Sequence, residues 1–337
     1  MEHLGIDVHQ KYSEICWLTE EGEVRQRRRL PTTEASLRRF FGRIEPVRVV
    51  LESSCVTPWV GRLLGEMGHE VVVLNPRRVR LIAESTLKSD TIDAEILARL
   101  SRFDLKLLRP VYQRSEAAQE LRTRLRVRGS LVKARTSLIN SVRGSLRSQG
   151  YRMGSCPTRS FVARWFELRL DARVREVLEP LVETIAELTD RIDRLERELK
   201  VASRSDELML RLQDVPGVGP LVSLAFVGWM DRAERFEKSR DVGACLGLRP
   251  RVRGSGGKIL RGAITREGDC EMRRLLVQAA HAALNSKRDF QLRRWAEAVA
   301  ERVGKSKAVV ALARKIAVLL HRLWVTGEAY RAFPHTA

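Results

Sequence analysis

Long apolar runs are missing from this sequence of 337 residues: none approaches the length of a membrane span, and the N-terminus lacks the apolar core of a signal peptide. The five cysteines are scattered without a C-x-x-C pair, and the six histidines form no cluster with ligand spacing, which argues against a structural zinc site. We therefore expect a reduced, cytoplasmic protein with no membrane attachment. The length predicts two or three domains with sizeable cores.

Negative charge is the scarcer sign. The chain has 62 lysines and arginines against 42 acidic residues, a net charge of +20 and a pI near 10.6. Such an excess predicts a polyanionic partner. Nucleic acid is favoured over a membrane surface, because no basic amphipathic helix with an aromatic face stands out.

The first part of the chain predicts an α/β domain over residues 1–108. Short β-branched runs at residues 4–9, 12–18 and 24–30 are typical of a three-stranded meander. Helical segments then alternate with two buried strands; the predicted helices are 34–43, 57–67, 79–84 and 90–103, and the strands 47–52 and 70–74. This order is typical of a layered sheet with helices packed on it.

Four acids in this domain stand where side chains can converge. Asp7 and Glu52 lie near the carboxyl ends of predicted strands, and Asp90 and Asp93 are one turn apart at the start of a predicted helix. Each also has an ordinary interpretation, as a surface acid at a strand end or as a helix-start acid that suits the first turn. If all four converge, their repulsion requires cations, and oxygen-only ligands favour Mg²⁺, with Mn²⁺ as the alternative.

The middle of the chain, residues 109–204, predicts a basic helical arm. Between Arg109 and Arg169 there are fourteen lysines and arginines and three acids. A helix of nearly one sign repels itself unless it binds phosphates, although a solvated face is the ordinary alternative. The residues that we assign to nucleic-acid contact here are Arg122, Arg126, Lys133, Arg135, Arg143 and Arg147.

A strict heptad seam follows. Its apolar positions alternate in steps of three and four: Leu178, Leu181, Ile185, Leu188, Ile192, Leu195 and Leu199. This spacing predicts a coiled coil of three heptads, and it leaves open whether the partner is the preceding basic helix or another subunit. We expect Pro180 to be tolerated only where the helix begins.

The last part, residues 205–330, is predicted to be mostly helical. The segment around Gly217 and Gly219 is typical of a helix-hairpin-helix turn, in which glycine amides can hold a phosphate. A plain Pro-Gly turn between two helices is the alternative.

A second candidate site lies around Ser255 in a glycine-rich segment that we predict to be a loop. Arg251 and Arg253 precede the serine, and Lys258 and Arg261 follow it. These cations could orient a phosphate and activate the hydroxyl, or the segment could be only a basic loop.

Several motifs in order resemble the DEDD-type insertion-sequence transposases. They are Gly5-Ile6-Asp7-Val8, Leu51-Glu52-Ser53, residues 88–94, Gly247-Leu248-Arg249-Pro250, Gly254-Ser255-Gly256-Gly257-Lys258, residues 261–269 and residues 275–280. The resemblance covers about residues 4 to 320. It departs from the family pattern at Asp269, where many members carry asparagine, and at Ser53-Ser54-Cys55, which replaces a common Ala-Thr-Gly.

The resemblance implies an RNase H-like (RuvC-like) N-terminal domain, a coiled-coil arm and a mostly α C-terminal transposase domain. It implies that Asp7, Glu52, Asp90 and Asp93 are the catalytic, metal-binding acids and that Ser255 is similar to the nucleophile of a recombinase. It further implies donor and target DNA as substrates, a guide (bridge) RNA, and a dimer or tetramer in a bacterial or archaeal cytoplasm whose site combines residues of different subunits.

The sequence thus predicts a DNA transposase or recombinase that forms a covalent serine–DNA intermediate. Two alternatives stay open at this point. One is a metal-dependent junction endonuclease in which water attacks and Ser255 has no chemical role. The other is a nucleic-acid scaffold without activity, in which the acids are structural.

Overall fold

The structure, a computed structural model, describes residues 2–76, 79, 90–108, 110–255 and 258–333, and for residues 105–106, 253–255 and 258–261 it describes the backbone alone. The chain divides into two compact units, Met1–Arg114 and Ser115–Ala337, called here the N-terminal and C-terminal units. No helix in the described ranges is both long and apolar enough to cross a membrane. The boundaries predicted at residues 108 and 204 stay predictions.

A mixed five-stranded sheet forms the centre of the N-terminal unit. Its strands are β1 (His3–Val8), β2 (Tyr12–Leu18), β3 (Val24–Pro31), β4 (Arg48–Glu52) and β5 (Glu70–Leu74). The order is β3-β2-β1-β4-β5; the first three are antiparallel, and β1, β4 and β5 are parallel. The predicted meander and α/β character of this part of the chain are confirmed.

Helices cover both faces of this sheet. They are α1 (Glu34–Phe41), α2 (Thr57–Glu66), α3 (Asp90–Leu100) and the short α4 (Leu105–Leu108). The Thr33 hydroxyl accepts from the Ser36 amide and caps α1. One face of the sheet packs Leu4, Ile6 and their neighbours against α1 and α2, while Val50 and Val72 pack against Leu97 of α3 on the other. The helix predicted at residues 79–84 lies outside the described residues except for Val79.

Two long antiparallel helices open the C-terminal unit. They are α5 (Glu116–Ser148) and, after a 3₁₀ turn (Thr158–Ser160) and α6 (Phe161–Phe166), α7 (Ala172–Arg204). Val142 and Leu146 of α5 share a core with Leu178 and Ile185 of α7, so the heptad seam packs inside the chain.

The expectation for Pro180 is wrong, because α7 begins eight residues before it, at Ala172. Proline leaves the Glu176 carbonyl without its helical hydrogen bond, and both residues are exposed, so water can satisfy that group. The cost is therefore smaller here than in a buried helix.

The rest of this unit is a helical bundle with one hairpin. Its elements are α8 (Glu207–Gln213), α9 (Pro220–Met230), a 3₁₀ turn (Ala233–Arg235), α10 (Ser239–Cys245), β6 (Pro250–Ser255), β7 (Lys258–Ile264), α11 (Cys270–Leu284), α12 (Gln291–Val303) and α13 (Lys305–Thr326). Apolar side chains of α9, α11 and α13, among them Phe226, Leu276 and Ile316, form one buried core. The predicted helical character of this region is confirmed.

The prediction that Ser255 lies in a loop is wrong, because the residue belongs to a β-strand. Ser255 is the last residue of β6 and pairs with Lys258, the first of β7. The alternation of arginine with other residues before Ser255 has the period of a strand, and paired glycines are typical of a tight hairpin turn. That alternation is what the loop prediction overlooked.

Candidate metal and nucleic-acid sites

Parallel pairing brings the first two predicted acids to the same edge of the N-terminal sheet. Ile6 of β1 is in register with Leu51 of β4, so Asp7 and Glu52 are the next residues on neighbouring strands. Asp7 also lies two residues beyond Gly5, whose missing side chain lets the backbone of α3 rest directly on β1. Asp7 therefore faces α3.

Asp90 begins α3 and meets Asp7 through His9. The His9 Nε2–H group donates to Asp7 Oδ2 at 3.0 Å, and the same nitrogen is 3.5 Å from Asp90 Oδ1. The Tyr12 hydroxyl donates to Asp90 Oδ2 at 2.9 Å. The two oxygens of Asp90 are thus positioned by different side chains, His9 and Tyr12.

The electrostatics of this cluster favour a cation. Burial raises the pKa of Asp7 above its ordinary value, the imidazole of His9 opposes that shift, and the carboxylates of Asp93 and Asp90 add to it. The side chain of Asp7 is only 19% exposed. A carboxylate that is desolvated beside two other acids is costly without positive charge nearby.

Not all four predicted acids lie equally close. Within the described ranges, the ligand atoms that approach to within 4.8 Å of one another belong to Asp7, His9 and Asp90. Glu52 is half-buried on the neighbouring strand, and Asp93 is exposed one turn along α3. The carboxylate oxygens fit a divalent ion such as Mg²⁺ or Mn²⁺. The His9 nitrogen can join them only in the tautomer that leaves Nε2 without a proton, and Mn²⁺ tolerates a nitrogen ligand better than Mg²⁺.

His9 and Tyr12 are the members of this cluster that the sequence interpretation missed. His9 follows Asp7 by two residues, which in extended backbone places both side chains on one face. That spacing was a usable signal. Tyr12 had none, because its contact depends on the turn that joins β1 to β2, where the His9 amide donates to the Tyr12 carbonyl at 3.0 Å.

The predicted basic residues of α5 divide into two groups. Arg126, Lys133 and Arg147 are exposed. Arg122, Arg135 and Arg143 instead have partners inside the C-terminal unit.

Arg122 pairs with Asp269 at 2.7 Å, where both side chains are mostly buried. Arg135 is 8% exposed and donates to Thr189 Oγ1 at 3.3 Å, and burial lowers the pKa of its guanidinium. The guanidinium of Arg143 lies 5.8 Å from the ring centre of Phe161. These three arginines have structural contacts that sequence spacing could not reveal.

Packing accounts for one of the two predicted turn glycines. Gly217 has a φ of +86°, and a side chain there would meet the Ala279 carbonyl at 2.1 Å. Gly219 is the N-cap residue of α9, and a side chain on it would meet no atom within 4 Å. The close approach of the turn to α11 therefore requires glycine at position 217 whatever the turn binds.

In the hairpin, Arg251 is exposed and donates to the Thr265 carbonyl at 3.4 Å. The side chains of Arg253, Ser255, Lys258 and Arg261 lie outside the described part of the structure. The backbone alone places them on two paired strands.

Two family models match the chain. Residues 4–149 match a family described as Transposase, and residues 209–294 match one described as Transposase IS116/IS110/IS902 family. Among solved structures, Thermus thermophilus RuvC is similar at 15% sequence identity and a TM-score of 0.26, over 33% of this chain and 100% of that chain.

Curated relatives extend along nearly the whole sequence. The transposase for insertion sequence element IS1111A of Coxiella burnetii is 30% identical, over 97% of this chain and 91% of the relative. A probable family 20 transposase of Pseudomonas aeruginosa is 31% identical, over 98% of this chain and 99% of the relative. Relatives of this identity and coverage, together with the two matching models, show that the chain belongs to the IS116/IS110/IS902 family of transposases.

Proposed function

We propose that this transposase cleaves and rejoins DNA with two centres, a divalent-metal site at Asp7, Glu52, Asp90 and Asp93 and a serine nucleophile at Ser255. The observation that carries the first centre is the approach of Asp7 and Asp90 to the same His9 nitrogen, at 3.0 and 3.5 Å. Acids held this close, with Asp7 near the carboxyl end of a parallel strand and Asp90 at the start of α3, are arranged for a cation.

The residues of the acidic site have separate roles in this proposal. Asp7 and Asp90 hold the ion, with Glu52 and Asp93 completing the carboxylate set. Tyr12 fixes the orientation of Asp90 through its hydroxyl. When bound, Mg²⁺ or Mn²⁺ supplies positive charge that neutralises the carboxylates and polarises a phosphodiester.

Ser255 carries the covalent step. Its Oγ attacks the phosphorus of a DNA phosphodiester, an Oγ–P bond forms, one P–O ester bond of the DNA breaks, and the released DNA hydroxyl takes up the serine proton. The position of Ser255 beside the turn of a hairpin supports this role, because the same strands carry Arg251, Arg253, Lys258 and Arg261. Cations around a reacting phosphate stabilise the charge that develops on it.

Nucleic-acid contacts along α5 are proposed for the exposed residues Arg126, Lys133 and Arg147, with the turn at Gly217 and Gly219 as a further backbone contact. The packing of α5 against the heptad seam of α7 supports a coiled-coil arm. We assign the partners as donor and target DNA and a guide RNA, in an oligomer in the bacterial or archaeal cytoplasm.

Two substitutions test the chemistry. Asp90→Asn is expected to abolish DNA cleavage in a protein that remains folded, and Ser255→Ala is expected to abolish the covalent protein–DNA adduct on a denaturing gel. A Ser255→Ala variant that cleaves at the normal rate would show that water attacks and that the serine is a hairpin residue. A folded Asp90→Asn variant with normal activity would contradict the metal site.

Mixing these two inactive variants tests the shared site. If acids and serine of one site come from different subunits, the mixture regains cleavage; if they come from one subunit, it stays inactive. Sequencing of copurified nucleic acid tests the guide RNA, since a defined non-coding RNA supports it and random fragments contradict it. Light scattering on the purified protein gives the oligomer number.

A further inference from the structure

The edge strand β3 carries a second concentration of positive charge. Arginines occupy four of its eight positions, and seven of its eight residues are exposed. Three of these arginines have carboxylate partners within the N-terminal unit: Arg25 with Glu2, Arg27 with Glu95, and Arg29 with Glu14. The fourth, Arg28, has no carboxylate partner among the described residues.

Arg28 lies against α1. Its guanidinium is 5.6 Å from the ring centre of Phe40, and Arg39 in the last turn of α1 and Arg43 just beyond it are exposed nearby. No carboxylate among the described residues forms an ion pair with Arg28, Arg39 or Arg43, although Arg38, next in sequence to Arg39, pairs with Glu34 and Glu66.

These residues line a groove of about 530 Å³ between β3 and α1. Its lining contains no acid and four arginines, of which only Arg29 has a carboxylate partner in the described part of the chain, Glu14. The favourable interaction of a cation with the end of a helix accounts for Arg39 alone. Protection of a sheet edge by charge accounts for Arg28 alone. Neither explains why three unpaired arginines converge on one depression.

We infer that this groove binds the sugar–phosphate backbone of duplex DNA, on the face of the sheet opposite Asp7. The inference deepens the proposed function and rests on it, because it takes DNA to be the substrate. A duplex is favoured over a single strand because Trp17 and Phe40 in the groove are each 9% exposed, too little to stack against bases. Backbone contact without base contact positions a duplex and adds no sequence preference.

The test compares two double variants of the full chain that lose the same charge. Arg39→Gln with Arg43→Gln removes two unpaired groove arginines. Arg27→Gln with Arg38→Gln removes two exposed arginines that already have carboxylate partners and do not line the groove. Binding of a short, fluorescein-labelled duplex of random sequence is followed by anisotropy over a series of salt concentrations.

Each phosphate contact makes a plot of the log of the binding constant against log salt steeper by about 0.9. Loss of two contacts should therefore make the slope shallower by about 1.8, which corresponds to about 60-fold weaker binding at about 0.1 M salt. We expect that loss in the groove variant, and a much smaller one in the control. Equal losses in both variants, or a groove variant that binds like the wild type, would overturn the inference and leave the acidic site untouched.

Two further outcomes distinguish failure of the groove from failure of the proposed function, on which the groove rests. If the groove variant loses more affinity for duplex RNA than for duplex DNA of the same length, the choice of DNA as the partner is overturned. If the wild type binds no duplex at all, the proposed function fails and the groove with it. Circular dichroism spectra and melting curves of both double variants serve as the folding control. If both are folded, a loss of binding is due to the removed arginines and not to unfolding.

Discussion

Gly5 is the position at which one methyl group should damage both the fold and the site. The backbone of α3 rests on β1 there: a Cβ at residue 5 would lie 2.1 Å from the Ala94 carbonyl oxygen and 2.2 Å from the Ala98 amide nitrogen. Ordinary contact begins near 3.4 Å, so Gly5→Ala must displace α3 by at least 1.3 Å, the difference between 3.4 and 2.1 Å. Backbone atoms cannot turn aside as a flexible side chain can.

The cost follows from that displacement. Overpacking of this kind costs about 3 kcal/mol. Since α3 also carries Asp90, the shift exceeds the tolerance of about 0.5 Å within which catalytic groups must be held. We expect DNA cleavage to fall by about 100-fold or more.

Hydrogen exchange followed by mass spectrometry can resolve this unit within the full chain. Peptides from β1 and α3 should exchange about 100-fold faster in Gly5→Ala, as a loss of about 3 kcal/mol in opening free energy requires. Gly65→Ala is the matched control, because Gly65 is exposed in α2 and a Cβ there meets no atom within 4 Å. Helix propensity makes that change neutral or stabilising by about 1 kcal/mol. Unchanged exchange and cleavage in Gly5→Ala would refute the contact between α3 and β1, and with it the placement of Asp90 over Asp7.

Three other substitutions test a hydrogen bond to Asp90, the burial of Asp7 and the ion pair of Asp269. Tyr12→Phe removes the hydrogen bond to Asp90 and should weaken Mn²⁺ binding, measured by calorimetry, by about tenfold; equal affinity would show that Tyr12 does not position the acid. Asp7→Asn should raise the Tm in EDTA near pH 7, because burial raises the folded-state pKa of Asp7 and its ionised form therefore costs stability. That gain should shrink as the pH falls through the raised folded-state pKa of Asp7 and should vanish below about 3, where the carboxyl is protonated in both states, and a gain independent of pH would contradict this origin. Asp269→Ala should cost about 3 kcal/mol in urea unfolding, since Asp269 caps α11 and pairs with the mostly buried Arg122, whereas Asp269→Asn keeps a cap and should cost about half as much; an Asp269→Asn variant as stable as the wild type would mean that the ion pair contributes nothing.

Local patterns were sufficient for most elements of the N-terminal unit. The alternation in residues 12–18 gave β2 with its observed ends, and the run at residues 70–74 gave β5. Both strands are short and apolar, are bounded by turn residues, and pair with sequence neighbours or across one helix. Helix α3 was predicted to start at Asp90, as observed.

Long-range partners were not readable in the same way. Arg122 looked like any other basic residue of α5 until Asp269, 147 positions later, appeared beside it. Arg135 sits on the face that α7 covers, and a helical repeat does not say which basic residue falls on a buried stripe. The groove at Arg28, Arg39 and Arg43 was missed for the same reason, because its residues come from two elements.

The hypothesis that the acids are merely structural can be weighed against this geometry. Asp90 and Asp93 lie in the first turn of α3, where acids are favourable, so that view accounts for both of them. It does not account for Asp7, which follows Ile6 within a strand, is mostly buried, and has its pKa raised by burial and by two neighbouring acids. A structural acid should stabilise the fold that holds it, whereas this one is expected to cost stability until a cation arrives. If Asp7→Asn stabilises the protein in EDTA while divalent ions stabilise the wild type and not the variant, the cost is tied to metal binding. A variant less stable than the wild type at neutral pH would instead favour the structural view.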